Sequence, residues 1–166
     1  MKEHPKNLSV EEILVRSSNV GSVILAKKIG EKNFKKFIKK TKLTSSPNIE
    51  LKEVGVPHQL KWNKCKLETV SFGHGITTTP LQATALYAAM SNGGKLIAPS
   101  LIKERKIEKS ETIISKETST KLSKILRKVV TSREGTASLA DKDGYSVGGK
   151  TGTAESYGDK KSRINT

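Results

Sequence analysis

A single cysteine, Cys65, stands among the 166 residues. A lone thiol closes no internal disulfide and builds no multi-cysteine metal site. Aromatic residues make up only 4 % of the chain, too few to interleave with basic side chains as stacking platforms for nucleic acid. Arginine is scarce as well. Only Arg16, Arg105, Arg127, Arg133 and Arg163 contribute to the 31 basic residues, and the rest are lysine. Readers of base edges favour the bidentate guanidinium, so the net charge of +15 reads as a solvated lysine surface with no specific nucleic-acid partner. Membrane headgroups or an anionic cell-wall polymer fit that charge better. No apolar run approaches the roughly 20 residues that span a bilayer. Met1 to Lys6 is charged with no apolar segment behind it, so neither anchor nor signal is read in this chain. His4, His58 and His74 have no metal-ligand spacing, and neither metal nor cofactor is expected.

What the chain does contain is helix punctuation. Ser9 followed by Glu12 is a capping box, and it predicts a helix from about Val10 to Arg16. Ser17-Ser18-Asn19 interrupts that pattern, because these side chains compete for backbone hydrogen bonds. A second helix is predicted over Val20 to Ile29, closed by Gly30, and a short lysine-rich third around Phe34, Phe37 and Ile38. Residues 41–66 read as irregular, with a strand or two hidden among them. Thr79-Pro80-Leu81-Gln82 places an N-cap, a proline at N1 and a polar residue at N3. The helix that follows is apolar on most sides and belongs in the core. Leu96 to Ala98 reads as extended, limited to an edge by Pro99. Ser115 opens a long amphipathic helix through Val130, and Glu134-Gly135-Thr136-Ala137 ends it. Tyr145 to Ala154 reads as a strand despite its glycines, which imply that a ligand or another backbone comes close. With one convincing strand among four or five helices, the sheet is expected to continue outside these residues.

Two clusters carry chemistry. Lys150-Thr151-Gly152, followed by Thr153, offers a cation, hydroxyls and a position without Cβ. Such an edge suits a peptide whose carboxylate meets the hydroxyls and the ammonium. The bland alternative is a solvated lysine. Ser17-Ser18-Asn19 between two helices can aim a hydroxyl and an amide into a cleft, where one relays a proton and the other holds a carbonyl. Its bland alternative is a helix stop followed by a cap. Ser46-Pro47-Asn48 has the same pattern, but Pro47 puts it in a loop.

Taken in order, Ser-Ser-Asn-Val-Gly-Ser, Phe-Gly-His-Gly-Ile-Thr-Thr-Thr-Pro-Leu-Gln-Ala, Ser-Asn-Gly-Gly-Lys-Leu and Val-Gly-Gly-Lys-Thr-Gly-Thr-Ala-Glu resemble the class B penicillin-binding proteins, division-type D,D-transpeptidases above all. The resemblance implies an α+β fold, a helical cluster with an incomplete antiparallel sheet, and residues 1–166 as part of one transpeptidase domain. It implies acyl transfer by a serine in S-x-x-K, with S-x-N and K-[ST]-G completing the site. Ser17 and Asn19 match the second motif. By the same resemblance Lys150 tunes Ser17, Thr151 and Thr153 bind the terminal carboxylate of a peptidoglycan stem peptide or of a β-lactam, and Gly152 leaves room for it. The N–H of Thr153 supplies half of the oxyanion hole. A parent protein of this kind works with divisome or elongasome membrane proteins, held at the cytoplasmic membrane with this domain facing the periplasm.

The sequence departs from the family in one respect. S-x-x-K precedes S-x-N there, whereas the single match here, Ser100-Leu101-Ile102-Lys103, follows it in an extended segment behind Pro99 and reads as accidental. The expectation is a fragment without its nucleophile. The alternatives are a catalytically inert truncated product, or a relative of the serine β-lactamases and D,D-carboxypeptidases.

Overall fold

The structure is a computed structural model that describes residues 7–103 and 110–152, together with the backbone of two short strands at 154–156 and 163–165. The elements run α1 (Val10–Val15), α2 (Asn19–Ile29), α3 (Glu31–Thr41), α4 (Lys66–Ser71), α5 (Pro80–Ser91), β1 (Lys95–Leu96), β2 (Glu111–Thr112), α6 (Lys116–Thr131), a 3₁₀ turn (Ser138–Ala140), β3 (Ala154–Ser156) and β4 (Arg163–Asn165). The architecture is α+β and rich in helix. Its strands form two antiparallel pairs, β1 with β2 and β3 with β4. The chain divides into two compact units, residues 1–21 with 124–166 and residues 22–123.

Local chemistry explains most helix starts. Ser9 and Glu12 form the reciprocal capping box, Glu12 N donating to Ser9 Oγ and Ser9 N to Glu12 Oε2 at 2.8 Å. Ser18 Oγ accepts from Gly21 N at 3.1 Å, which caps α2. Ser115 Oγ accepts from Thr118 N and opens α6. Thr79 accepts from Gln82 N with Pro80 at the first helical position, as expected for α5. Gln82 does not close a capping box. Its Nε2 donates 2.6 Å to Lys42 O instead, tying α5 to the end of α3.

In the unit formed by residues 22–123, Ala26, Val70, Ala89 and Ile113 are buried. Ser119 is buried too and satisfies both its roles, donating to Met90 O at 2.6 Å and accepting from Gly93 N at 3.1 Å. These bonds fix α6 against the end of α5. The Ile113 N–H then donates to Gly94 O, and the β1–β2 register follows with Lys95 opposite Thr112.

In the other unit, Ile13 and Val15 of α1 and Val129 and Val130 of α6 form the core. Lys128 donates 2.5 Å to Glu11, and Arg16 pairs with Glu134 at 2.9 Å. Both ion pairs are partly exposed, so they orient the helices more than they stabilise them.

Four expectations need correction. Residues 145–152 are not laddered, and the strand begins only at Ala154, pairing Glu155 with Ile164 in the segment read as a polar tail. The backbone of 147–149 turns its hydrogen bonds toward α6, so it has none left for a strand partner. No strand lies among residues 42–65, and the short helix α4 was not anticipated. Only Lys95–Leu96 of the 96–98 run is paired. Finally, α5 is not a core helix. It buries Gln82 and Ala89, but Tyr87 remains 44 % exposed. An all-round apolar helix tolerates burial on every side, but burial also requires neighbours on every side.

Candidate active site

The site is assembled at the junction between α1 and α2 and on the segment after α6, all within one compact unit. Helix α1 ends in a Schellman motif: Ser17 N donates to Leu14 O and Ser18 N to Ile13 O. The motif requires a left-handed residue at the first position past the cap, usually glycine. Ser17 occupies it, with φ of 56°. A residue with a Cβ costs about 1–2 kcal/mol there. Strain of this kind marks a position whose side chain is wanted for something other than folding. Ser17→Gly is expected to raise stability by about 1 kcal/mol in chemical denaturation, whereas Ser17→Ala, which keeps the Cβ, brings no such gain. Equal effects of the two substitutions would refute the strain.

On the other side, residues 147–149 lie along α6. Arg127 Nη1 donates to Val147 O and to Asp141 Oδ1, both at 2.8 Å, and Gly149 N donates to Leu126 O at 3.2 Å. A Cβ on Gly148 would stand 3.2 Å from Arg127 N, so the glycine permits this approach. The anchored segment delivers Lys150, whose Nζ donates 2.6 Å to Ser17 Oγ across 133 residues of sequence. The same ammonium reaches Thr151 O at 3.1 Å and Thr151 Oγ1 at 3.3 Å. Thr151 Oγ1 in turn lies 2.8 Å from Thr136 Oγ1. One continuous chain of bonds therefore runs from Ser17 through Lys150 and Thr151 to Thr136.

Lys150 is half-buried, and burial lowers its pKa below the ordinary lysine value. The sign follows from proton linkage. The unfolded chain holds this proton more tightly than the folded one. Stability therefore rises as the pH climbs through the folded pKa toward the ordinary value, while at lower pH Lys150 adds no pH dependence. A lysine shifted this way is a better nucleophile and proton acceptor near neutrality. Trace labelling with an amine reagent across a pH series should give Lys150 a half-reaction pH below the ordinary lysine value. A half-reaction pH at or above that value would contradict the shift.

Of the residues expected from the sequence, the structure brings together Ser17, Lys150 and Thr151. Asn19 stands exposed in the first turn of α2, outside this chain of bonds. Gly152 is exposed, with nothing within 4 Å of where a Cβ would be. Thr153 lies outside the described residues. Ser100 is engaged elsewhere. It sits in a bend, donates 2.7 Å to Glu50 Oε1 and accepts from Ile102 N at 3.0 Å. Thr136 and Arg127 were missed by the sequence reading. Nothing in their local pattern separates them from the end and the solvated face of an amphipathic helix. Among the described residues, no group of three or more His, Cys, Asp or Glu could hold a metal, and no helix is long and apolar enough to cross a membrane.

Residues 2–166 match the family described as the penicillin binding protein transpeptidase domain. The chain belongs to that family. It is 34 % identical over 154 residues to the probable peptidoglycan D,D-transpeptidase FtsI of Caulobacter vibrioides, an alignment covering 90 % of this chain and 26 % of that protein. It is 33 % identical over 165 residues to stage V sporulation protein D of Bacillus subtilis, covering 90 % and 25 %. Among solved structures, penicillin-binding protein 3 of Mycobacterium tuberculosis in complex with ampicillin superposes with a TM-score of 0.84 at 25 % identity, over 91 % of this chain and 37 % of that one. The transpeptidase domain of Burkholderia pseudomallei penicillin-binding protein 3 shares the fold, with a TM-score of 0.85 at 24 % identity. This transpeptidase-family chain spans about a quarter of the length of the curated relatives it matches. The matched stretch carries the S-x-N and K-T-G clusters that the fold joins through Ser17 and Lys150.

Proposed function

We propose that residues 1–166 form part of one peptidoglycan D,D-transpeptidase domain and supply two walls of its acyl-transfer site. The observation that carries this reading is the 2.6 Å bond between Lys150 Nζ and Ser17 Oγ. In the reaction, a serine hydroxyl adds to the carbonyl of the penultimate D-Ala of a stem peptide, and the tetrahedral adduct expels D-Ala with a proton on its nitrogen. An amine of a second stem peptide then displaces the serine from the acyl-enzyme. Ser17 relays the proton, held in place by Lys150. Asn19 orients the donor carbonyl, Thr151 and Thr153 take the terminal carboxylate, Gly152 leaves room for it, and the Thr153 N–H stabilises the oxyanion. A β-lactam imitates the stem peptide in the same groove. The parent protein works at the cytoplasmic membrane, facing the periplasm, alongside cell-division or elongation proteins.

The nucleophile in this reading is not Ser100, whose hydroxyl is committed to Glu50. The 166-residue chain by itself therefore binds ligand without acylation. In the test, the purified chain is exposed to a fluorescent penicillin and, separately, titrated with N-acetyl-D-Ala-D-Ala while amide resonances are followed. No covalent adduct, with shifts at residues 17–19 and 150–152, is the expected result. A covalent adduct at Ser100, or no shifts at millimolar peptide, would overturn the proposal.

A further inference from the structure

Thr136 sits on the turn that closes α6, and its hydroxyl is held against the site by an unusually tight fold of the backbone. Ala137 N donates to Val129 O at 3.1 Å, and Gly135 approaches the same carbonyl so closely that a Cβ there would lie 2.2 Å from it. The turn thus has little freedom, and it places Thr136 Oγ1 at 2.8 Å from Thr151 Oγ1.

The hydrogen-bond inventory of Thr151 gives that contact a direction. A threonine hydroxyl has one proton and two lone pairs. An ammonium only donates, so Lys150 fills one lone pair of Thr151. If Thr136 donates as well, both lone pairs are filled and the Thr151 proton must point away from the protein. A carboxylate accepts and cannot donate, so it meets a hydroxyl already turned toward it. A carboxamide carries N–H donors, which then find no free lone pair on Thr151.

We infer that Thr136 is a positioning residue that fixes the Thr151 hydroxyl as an outward donor and so sharpens the preference of the site for a peptide ending in a free carboxylate over one ending in an amide. The inference rests on the carboxylate-binding reading above, but its first consequence needs no ligand. Thr136 touches neither the reacting atoms nor the peptide. It acts through Thr151, and the interaction is between two side chains on the same compact unit.

The experiment compares the 166-residue chain with Thr136→Val, which removes the hydroxyl at nearly constant shape, and Thr136→Ser, which restores it. Without ligand, scalar couplings of Thr151 should report one side-chain rotamer in the parent and in Thr136→Ser, and rotamer averaging in Thr136→Val. With N-acetyl-D-Ala-D-Ala and its C-terminal amide as probes, the parent should prefer the acid. Thr136→Val should lose about tenfold of that preference, the scale of one hydrogen bond to a charged partner, and Thr136→Ser should keep it. An unchanged Thr151 rotamer in Thr136→Val overturns the inference outright, as does an undiminished acid preference. If the parent binds neither probe, the carboxylate-binding reading fails by itself, and the ligand-free couplings still decide the role of Thr136.

Discussion

Lys150→Met is expected to weaken binding of a carboxylate-ended peptide by about a hundredfold while leaving the unfolding free energy within about 1 kcal/mol of the parent. The two effects separate because the lysine does two different things. For a ligand it is the nearest cation, and it also holds Ser17 Oγ and the Thr151 hydroxyl in position. Losing a charge-assisted hydrogen bond costs about 1.5–3 kcal/mol of interaction. For the fold itself the ammonium is only half at home. Burial lowers its pKa, which means that the folded state disfavours the charge. Methionine fills the space of the lysine stem without that charge, so the relief offsets the lost bonds to Ser17 and Thr151. Peptide titration by NMR and urea denaturation of the same two proteins provide the check. Retained binding would remove Lys150 from the site. A loss of several kcal/mol would make it a structural residue.

Gly135→Ala should act the other way and lower stability by about 3 kcal/mol, with loss of the Thr136–Thr151 contact. The added methyl would stand 2.2 Å from Val129 O and 3.0 Å from Lys128 O, and both neighbours are main-chain atoms at the last turn of α6 that cannot step aside. Overpacking against a flexible side chain costs about 1–3 kcal/mol; a fixed carbonyl puts this substitution at the upper end. Relief requires the turn to lift away from α6. That breaks the bond from Ala137 N to Val129 O and carries Thr136 away from Thr151. Thermal or urea denaturation measures the first effect, and the Thr151 couplings the second. A Gly135→Ala chain as stable as the parent would mean that the turn is far looser than its contacts imply.

These two residues also mark how far the sequence could be read. Lys150 was visible because Lys-Thr-Gly in a glycine-dense stretch is a compact pattern, with the chemistry written into adjacent residues. Gly135 and Thr136 looked like an ordinary helix stop. Their importance lies in a distance to a carbonyl and a distance to a hydroxyl, neither of which leaves a periodic trace. The misplaced strand has a similar origin. Valine, tyrosine and glycine at 145–149 are compatible with extended backbone, but a strand exists only where a partner accepts its ladder bonds. Here Arg127 and Leu126 of α6 take them first. The half-exposed α5 makes the same point for burial, since apolar composition measures tolerance and not the presence of neighbours.

What the sequence determined alone was everything set by groups a few residues apart: the capping box of Ser9 and Glu12, the Thr79 cap, the stop between α1 and α2, and the identity of two short clusters. Those are local bonds, and a short stretch of chain contains both partners. The tertiary structure alone decided that Ser17 meets Lys150, that Thr151 meets Thr136, and that the segment before Lys150 lies on a helix and not in a sheet. Contacts between residues 133 positions apart depend on how the helices between them pack, and packing is a property of the whole core that no neighbouring pair of residues encodes.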